Sequence, residues 1–473
     1  MNAPDSLAVL LGSEVVGTVE RGRERTAWFQ YTASYTESDV SVPLSLTAPV
    51  TTGRYEISGW MDGLLPDRLE VREQWGRRYG AASWQPFDML ATPIGMDCAG
   101  AVQFCPHDPA DGLRERRGGT VALSDEDTAT HLAAVRSGIA APMRALEEWP
   151  PFSLAGAQGK TALHLADGVW HFATDGTPTT HILKIAMPAY PDNDLVEHVC
   201  MATLRRADIP VANTKIVHFG DERAIAVERF DRRRDPDGTL RRIHQEDMCQ
   251  ALGFGPDLKY QRYGGPAPSD IADELRSQPD QPAASLQRFR DALVCNWLLA
   301  GSDAHAKNYS VLLSAGGAVL APLYDVCSMS PYIGNRDLSD LALAMDVGWA
   351  RSLSEANDPR AWLQCSEELG LPHAETAGRV EELSETIPAA LSDVLNKMPE
   401  SVTSSPWVAA LPEHLETLAA RRRDQLSSPT GPGLGNGSAS RPRKRRTRCP
   451  YFGPRSGRRC KRQFRHRGSH RYN

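Results

Sequence analysis

Three polar side chains past the middle of the chain are spaced for chemistry. Asp303 and Asn308 stand five residues apart in the polar loop Asp303-Ala304-His305-Ala306-Lys307-Asn308, and Asp325 follows after a hairpin-like stretch. Two carboxylates and an amide are what phosphoryl transfer from a magnesium nucleotide requires. One Asp accepts or orients the nucleophile's proton, while the Asn and the second Asp hold the metal. Magnesium is hard and keeps several waters, so it needs little from the protein besides a carboxylate and an amide. Taken alone, the five-residue step is short enough to be a solvated loop with Asp325 in a turn.

The flanks show how such a set could be positioned. An apolar helical run from Leu286 to Ala300 stops at Gly301. After the loop, the strand-like stretches YSVLL and AVLAPLY flank a turn at Ser314 to Gly317 and end on Asp325. Further upstream, THILKI (Thr180–Ile185) reads as a strand carrying one lysine, Lys184. A lysine in an apolar run either faces solvent from an edge strand or is paired, because burying it alone is costly. A helix from Asp194 to Ala207 follows, with Glu197 available as that partner or as a solvated acid. The strand Arg223–Arg233 places Glu228, Arg229 and Phe230 where a two-lobed nucleotide enzyme offers backbone groups to adenine. The other reading is a plain strand end with a solvated arginine run.

The segment Pro151–Leu165 contains Gly156, Gly159, Lys160 and Thr161, which partly match a Walker A loop. That motif needs Gly where this chain has Leu154, and no hydrophobic strand precedes it. The remaining reading is a Gly-containing turn between short strands, whose backbone N–H groups could cover phosphates. Ser153 beside it is a candidate phosphoacceptor or a turn serine.

Composition sets the frame. The chain has 473 residues, 41% apolar and 24% charged, ordinary for a globular protein of two or three domains. No apolar run approaches the roughly 20 residues that span a bilayer, and the N-terminus lacks a basic region ahead of its short apolar segment. The nine Cys are scattered, as expected of thiols in a reducing compartment. A cytoplasmic location is expected. The net charge of −6 hides an asymmetry. Residues 441–473 hold 14 Lys and Arg and no acid, leaving 39 basic against 59 acidic residues elsewhere, a net of −20. A basic tail on an acidic body suggests a polyanion partner. In that tail Cys449, Cys460, His466 and His470 form C-x10-C-x5-H-x3-H, which fits a tetrahedral zinc site. The alternative is an unstructured basic tail.

In order, the expected organisation is an N-terminal α/β subdomain (1–107) and a connecting segment (108–149). A unit with phosphate loop, Lys strand and junction follows (150–235), then a helical lobe with the 303–308 loop (236–426). A disordered basic linker (427–448) and the Cys/His tail (449–473) complete the chain. The first subdomain is expected to open with a hairpin around Gly12-Ser13-Glu14 and to include a helix near Leu65–Arg78. Beyond Asp325 the chain is expected to be mostly helical.

Seven separated segments, in order, match one family: SLAGAQGKTAL, THILK, AVERFDRR, QEDMCQALG, KYQRYGGP, SDAHAKNYSV and LAPLYDV. With a weaker N-terminal match, the chain resembles the HipA-type serine/threonine kinases, toxins of bacterial toxin–antitoxin pairs, over about residues 5–400. The resemblance implies an α+β, protein-kinase-like two-lobe fold with an extra N-terminal α/β subdomain and a mostly helical C-terminal lobe. It implies Asp303 as catalytic aspartate, Asn308 and Asp325 as magnesium ligands, and Lys184 as the phosphate-binding lysine partnered by Glu197. It implies ATP contacts at Ala155, Gly156, Ala157, Gln158, Glu228, Phe230, His305 and Lys307, and autophosphorylation at Ser153 that ejects the loop and ends activity. ATP and magnesium are the implied substrate and cofactor. The implied partners are a helix-turn-helix antitoxin, operator DNA through it, and a protein substrate such as an aminoacyl-tRNA synthetase. The chain departs from the family where Gly159 replaces a usual Glu, and in its basic tail. Two other readings are a catalytically weak DNA-binding co-repressor using that tail, and the P-loop NTPase that Leu154 disfavours.

Overall fold

Alternating apolar residues open the chain as strands. β1 (Ser6–Leu11) turns at Gly12-Ser13 into β2 (Glu14–Arg21), and β3 (Ala27–Tyr31), β4 (Arg54–Glu56) and β5 (Val102–Cys105) complete an antiparallel sheet in the order β4-β3-β2-β1-β5. Gly12 takes φ +65°, the left-handed backbone a two-residue hairpin turn demands. Helices pack on the inner face, among them α1 (Leu69–Tyr79), over a core that includes Phe29, Trp60, Met61 and Phe104.

The computed structural model describes residues 4–106, 118–137, 152–156, 158–174, 176–334, 337–413 and 415–417. Ala157, the 427–448 linker and the whole Cys/His tail with Cys449, Cys460, His466 and His470 lie outside the described residues, as does much of the 108–149 segment. Among the described residues no helix is long and apolar enough to cross a membrane.

The second sheet carries the chemistry. Its strands are β6 (Gly119–Ala122), β7 (Lys160–Ala166), β8 (Val169–Thr174), β9 (His181–Lys184), β10 (Thr214–Phe219) and β11 (Glu222–Glu228), in the order β10-β11-β9-β7-β8-β6. Helices α2 (Asp125–Ser137) and α3 (Asn193–Arg206) flank these strands. In the β7–β9 register Lys160 lies directly opposite Lys184, and Ala162 opposite Ile182. A two-residue alternation then puts both lysines and both apolar residues on one face.

The lobe that follows is helical with small sheets inserted. β12 (Arg232–Arg234) pairs with β13 (Leu240–Arg242), and β14 (Gln245–Asp247), β15 (Ser310–Ser314) and β16 (Gly317–Leu320) form a three-stranded sheet. The long helices are α4 (Pro268–Ser277), α5 (Pro282–Leu298), α6 (Pro359–Leu369) and α7 (His373–Leu395). Two small sheets depart from an all-helical lobe. Near the start of the expected helical lobe (236–426), Gln245–Asp247 is a strand, followed by the short helix Met248–Ala251, capped by Asp247 and Gln250 in a capping box. Within the mostly helical stretch after Asp325, β17 (Ala342–Val347) and β18 (Ala350–Ser352) form a hairpin turned by Gly348 at φ +56°. Leu343 and Met345 are separated by Ala344 and preceded by Ala342, so no apolar/polar alternation marks this strand in the sequence.

Candidate active site

The strand β9 delivers Lys184 to the interior, where its side chain is nearly sealed from solvent. Its Nζ donates to Glu197 Oε1 of α3 at 2.7 Å and also pairs with Asp325. A buried ammonium is tolerated when carboxylates surround it, so the lysine that looked costly in the sequence has two partners. Asp325, five residues past the end of β16, takes φ +56°, a left-handed conformation that Asp adopts more readily than most residues. That backbone turn brings its carboxylate to Lys184.

The loop after α5 supplies the rest. Asn308 Nδ2 donates to the backbone oxygen of Asp303 at 3.0 Å, closing the loop on itself. Asp303 is exposed at the mouth of the cavity and accepts the Tyr260 hydroxyl on Oδ1. His305 is buried, edge-on to Tyr260 with ring centroids 4.9 Å apart. Burial pushes its pKa down to about 4, leaving it neutral, and among the described residues its Nδ1 has no hydrogen-bond partner. Lys307 points away from the mouth and bridges Asp247 Oδ2 and the Gly63 backbone oxygen, each at 3.1 Å. Burial works against its charge, but Asp247 and Asp67 hold its pKa above the ordinary value.

One cavity of about 560 Å³ joins these groups, within the range usual for small-molecule sites. Lys184, Glu197, Asp303, His305, Lys307, Asn308 and Asp325 line it, together with Ala155, Gly156, Gln158, Glu228 and Phe230. Ile182, Val227 and Tyr324 add apolar wall near Phe230, whose ring lies 5.4 Å from that of Tyr324. Glu228 ends β11 with its carboxylate accepting from Asn213 Nδ2 at 2.8 Å. Gln158 donates to the Ile185 backbone oxygen at 2.9 Å. Ser153 is apart from the cavity lining. It is fully buried and donates to the Leu64 backbone oxygen at 2.8 Å, between Phe152 and Leu154, which pack in an apolar cluster with Trp75.

Lys160, read in the sequence only as part of an incomplete Walker motif, and Asp67 and Lys259, which the sequence did not single out, complete the site. Lys160 reaches into the cavity from β7 and donates to the Ala155 backbone oxygen at 2.6 Å. Burial, and then the neighbouring Lys184, push its pKa down to about 7. Gly156 takes φ +109°, and a Cβ there would lie 2.5 Å from Lys160 Nζ. The N-terminal subdomain pins this loop: Pro66 bridges Gly156, and the Gly156 N–H donates to Asp67 Oδ1 at 3.3 Å. Asp67 also pairs with Lys259 at 2.8 Å. The partial Walker match drew attention to Lys160 for another reason, and the register of β7 against β9 is what aims it at the cavity. For Asp67 and Lys259, 192 residues apart, there was no sequence signal.

The arginine run at the lobe junction also needs correction. Arg233 and Arg234 are exposed, but Arg229 and Arg232 are buried with Arg242 against Asp97 and Asp231. Asp97 accepts from Arg242 at 2.6 Å, Arg232 at 3.0 Å and Thr179 at 2.6 Å. Burial alone would raise the Asp97 pKa, but Arg242, Arg229 and Arg232 outweigh it and hold the carboxyl below its ordinary value. Asp231 is lowered by the same balance of burial against Arg229 and Arg232.

The donor chemistry also bears on magnesium. Asn308 spends its Nδ2 on the loop, which leaves its amide oxygen, and Asp325 offers a carboxylate. Such an oxygen pair suits a cation that takes its remaining ligands from water and phosphate. Among the described residues no group of three or more His, Cys, Asp or Glu could hold a metal by itself.

Comparison with known proteins decides the family. The pattern of the HipA-like C-terminal domain matches residues 152–391, and that of the HipA N-terminal domain residues 7–105. The chain belongs to the HipA family of kinases. It is 32% identical to the Y4mE protein of Sinorhizobium fredii over 82% of this chain and 91% of that one. It is 30% identical to the serine/threonine-protein kinase toxin HipA of Shewanella oneidensis, covering 78% of this chain and 84% of that one. A solved Shewanella oneidensis complex of HipA, HipB and operator DNA contains a chain that superposes with a TM-score of 0.74 at 26% identity, over 88% of this chain and 97% of that one. The two-lobe, kinase-like α+β architecture of this HipA-family chain accords with that match. Lys184, Asp303, Asn308 and Asp325 lie within the stretch matched by the C-terminal pattern, whereas Asp67, which also lines the cavity, and Asp97 lie in the N-terminal one.

Proposed function

We propose that the protein is an ATP- and magnesium-dependent serine/threonine protein kinase that acts as a growth-inhibiting toxin. The observation that carries this reading is the convergence of Lys184, Glu197, Asp303, Asn308 and Asp325 on one cavity. Adenine enters the apolar slot beside Phe230, next to the backbone of Glu228. Lys184, held by Glu197, binds the α- and β-phosphates, and the backbone at Ala155, Gly156 and Gln158 covers the phosphates with Lys160 behind it. Asn308 and Asp325 would hold magnesium, which when bound neutralises phosphate charge. The acceptor hydroxyl oxygen attacks the γ-phosphorus as the bond to the β–γ bridging oxygen breaks. Asp303 takes the hydroxyl proton, and the electron pair leaves with ADP.

Regulation belongs to the same proposal. Ser153 is sealed against the Leu64 carbonyl, and a phosphate adds close to two negative charges at neutral pH. Phosphorylated Ser153 therefore has no place in this packing. Phe152 and Leu154 would leave their cluster, and Gly156 would part from Asp67. The HipA–HipB–operator complex of the relative supports a HipB-like antitoxin and operator DNA as partners here.

The test is incubation with labelled ATP and magnesium, followed by phosphosite mapping. Wild type is expected to incorporate label, with Ser153 among the sites, and Asp303→Ala to lose it. Equal incorporation in both removes the assignment.

A further inference from the structure

The catalytic loop is braced by a segment that the mechanism above leaves unused. Residues 259–265 (KYQRYGG) are fixed on three sides. Lys259 pairs with Asp67, and its backbone oxygen accepts from the Ala306 N–H at 3.2 Å. Gln261 makes two bonds with Asp346, donating Nε2–H to its carboxylate at 3.0 Å and accepting its N–H at 2.7 Å. Gly264 at φ +95° and the Gly265 N–H on the Tyr260 carbonyl at 3.0 Å close the turn. With the backbone held, the half-buried Tyr260 has only its side-chain torsions free.

Its hydroxyl rests on Asp303 Oδ1, the exposed carboxylate oxygen at the cavity mouth. The ring is clasped between the edge of His305 and the Arg262 guanidinium, 5.0 Å from its centroid. Arg262 also covers Tyr263, which is 63% exposed. A hydroxyl donating to the catalytic carboxylate is what an acceptor serine presents at the moment of transfer. A water in that position would be a nucleophile as well.

We propose that Tyr260 is a placeholder for the acceptor hydroxyl, occupying Asp303 until a serine or threonine displaces it and keeping water from attacking the γ-phosphate in the meantime. The phenol is a safe occupant. Burial and then the Asp303 charge push its pKa above the ordinary tyrosine value, so it stays protonated as a donor. Without it, water on Asp303 attacks the γ-phosphorus, its proton passes to the carboxylate, the β–γ bridging bond breaks, and the products are ADP and inorganic phosphate. The proposal rests on the kinase reading, with Asp303 as the base.

The test compares the full-length wild type, Tyr260→Phe and Tyr263→Phe with labelled ATP and magnesium. Initial rates of free phosphate release and of protein-bound phosphate are measured side by side, and thermal melting checks folding. Tyr260→Phe keeps the ring against His305 and Arg262 and removes one oxygen. A hydrogen bond to a charged group shifts an equilibrium by about one to two decades, so the ratio of hydrolysis to transfer is expected to rise about tenfold. Tyr263→Phe is expected to keep the wild-type ratio. An unchanged ratio in Tyr260→Phe, with transfer intact, overturns the placeholder and leaves the kinase reading standing. A proportional loss of both rates also overturns it, since that is the mark of a group that merely positions Asp303. An equal rise in Tyr263→Phe overturns it by moving the effect to the surface aromatic pair. A wild type that neither transfers nor hydrolyses removes both proposals.

Discussion

Replacing Asp97 by Asn is expected to destabilise the whole enzyme although the residue is outside the catalytic cavity. Asp97 and Asp231 face Arg229, Arg232 and Arg242 in a buried cluster of net charge +1. Asp97→Asn keeps the shape, raises the buried charge to +2, and leaves Arg242 without its 2.6 Å carboxylate. Removing one partner from a buried ion pair costs about 3–5 kcal/mol. For roughly 400 folded residues at about 2.1 cal/mol/K each, the unfolding entropy is about 0.8 kcal/mol/K, and the melting temperature falls by about 4–6 °C. Scanning calorimetry at neutral pH reads this directly. The double variant Asp97→Asn with Arg242→Met restores the net charge of +1, and a coupling of at least about 1 kcal/mol is expected between the two sites. The pH dependence has a definite sign. Both carboxyls are held below their ordinary values, so their contribution is present above the unfolded value of about 4 and is lost as the pH falls through the folded ones. The gap between wild type and Asp97→Asn should therefore be constant from pH 5 to 8, by the same principle, and shrink in stronger acid. A melting temperature within about 1 °C of wild type, or strict additivity in the double variant, refutes the reasoning.

Two further outcomes concern the phosphate side of the cavity. Lys160 has a pKa of about 7 in the fold against 10.5 ordinarily, so between these values the unfolded chain binds more protons and stability rises with pH. Lys160→Met should flatten that rise, which is at most about 1.4 kcal/mol per pH unit and less for a partly solvated side chain; equal slopes in unfolding midpoints between pH 7 and 9.5 would contradict this. Gly156→Ala should cost about 1–2 kcal/mol through its left-handed backbone and displace the Lys160 amine, weakening Mg-ATP binding measured by calorimetry. Unaltered nucleotide affinity would show that the turn does not contact phosphate.

What could be read from the sequence was what is local. The apolar strand run of THILK, the break of α5 at its C-terminal end and the hairpin before Asp325 follow from short-range patterns, and each lies close to where it was expected. The order of the segments supplied the rest of the two-lobe reading. What escaped notice depends on distance along the chain. Asp67, Lys259 and Tyr260 gain their meaning from partners up to 192 residues away, and no periodicity encodes such a meeting. The arginine run after β11 looked like a solvated exit because Asp97, which neutralises it, is 132 residues earlier. Lys160 was weighed only as a fragment of a Walker motif, whereas strand register, not motif, aims it at the cavity.

The contacts of Asp97, Asp67 and Leu64 mean that the kinase core is not a detachable module. Cutting the chain between β5 and β6 would strip Arg229, Arg232 and Arg242 of one of their two acids, and Ser153 of its carbonyl. It would also free Gly156 from Asp67. Each half would inherit bare charge on a newly wetted face. The stretches matched by two separate domain patterns are therefore one cooperative folding unit, and a catalytic fragment of this kinase must be sought by trimming its ends, not by dividing it in the middle.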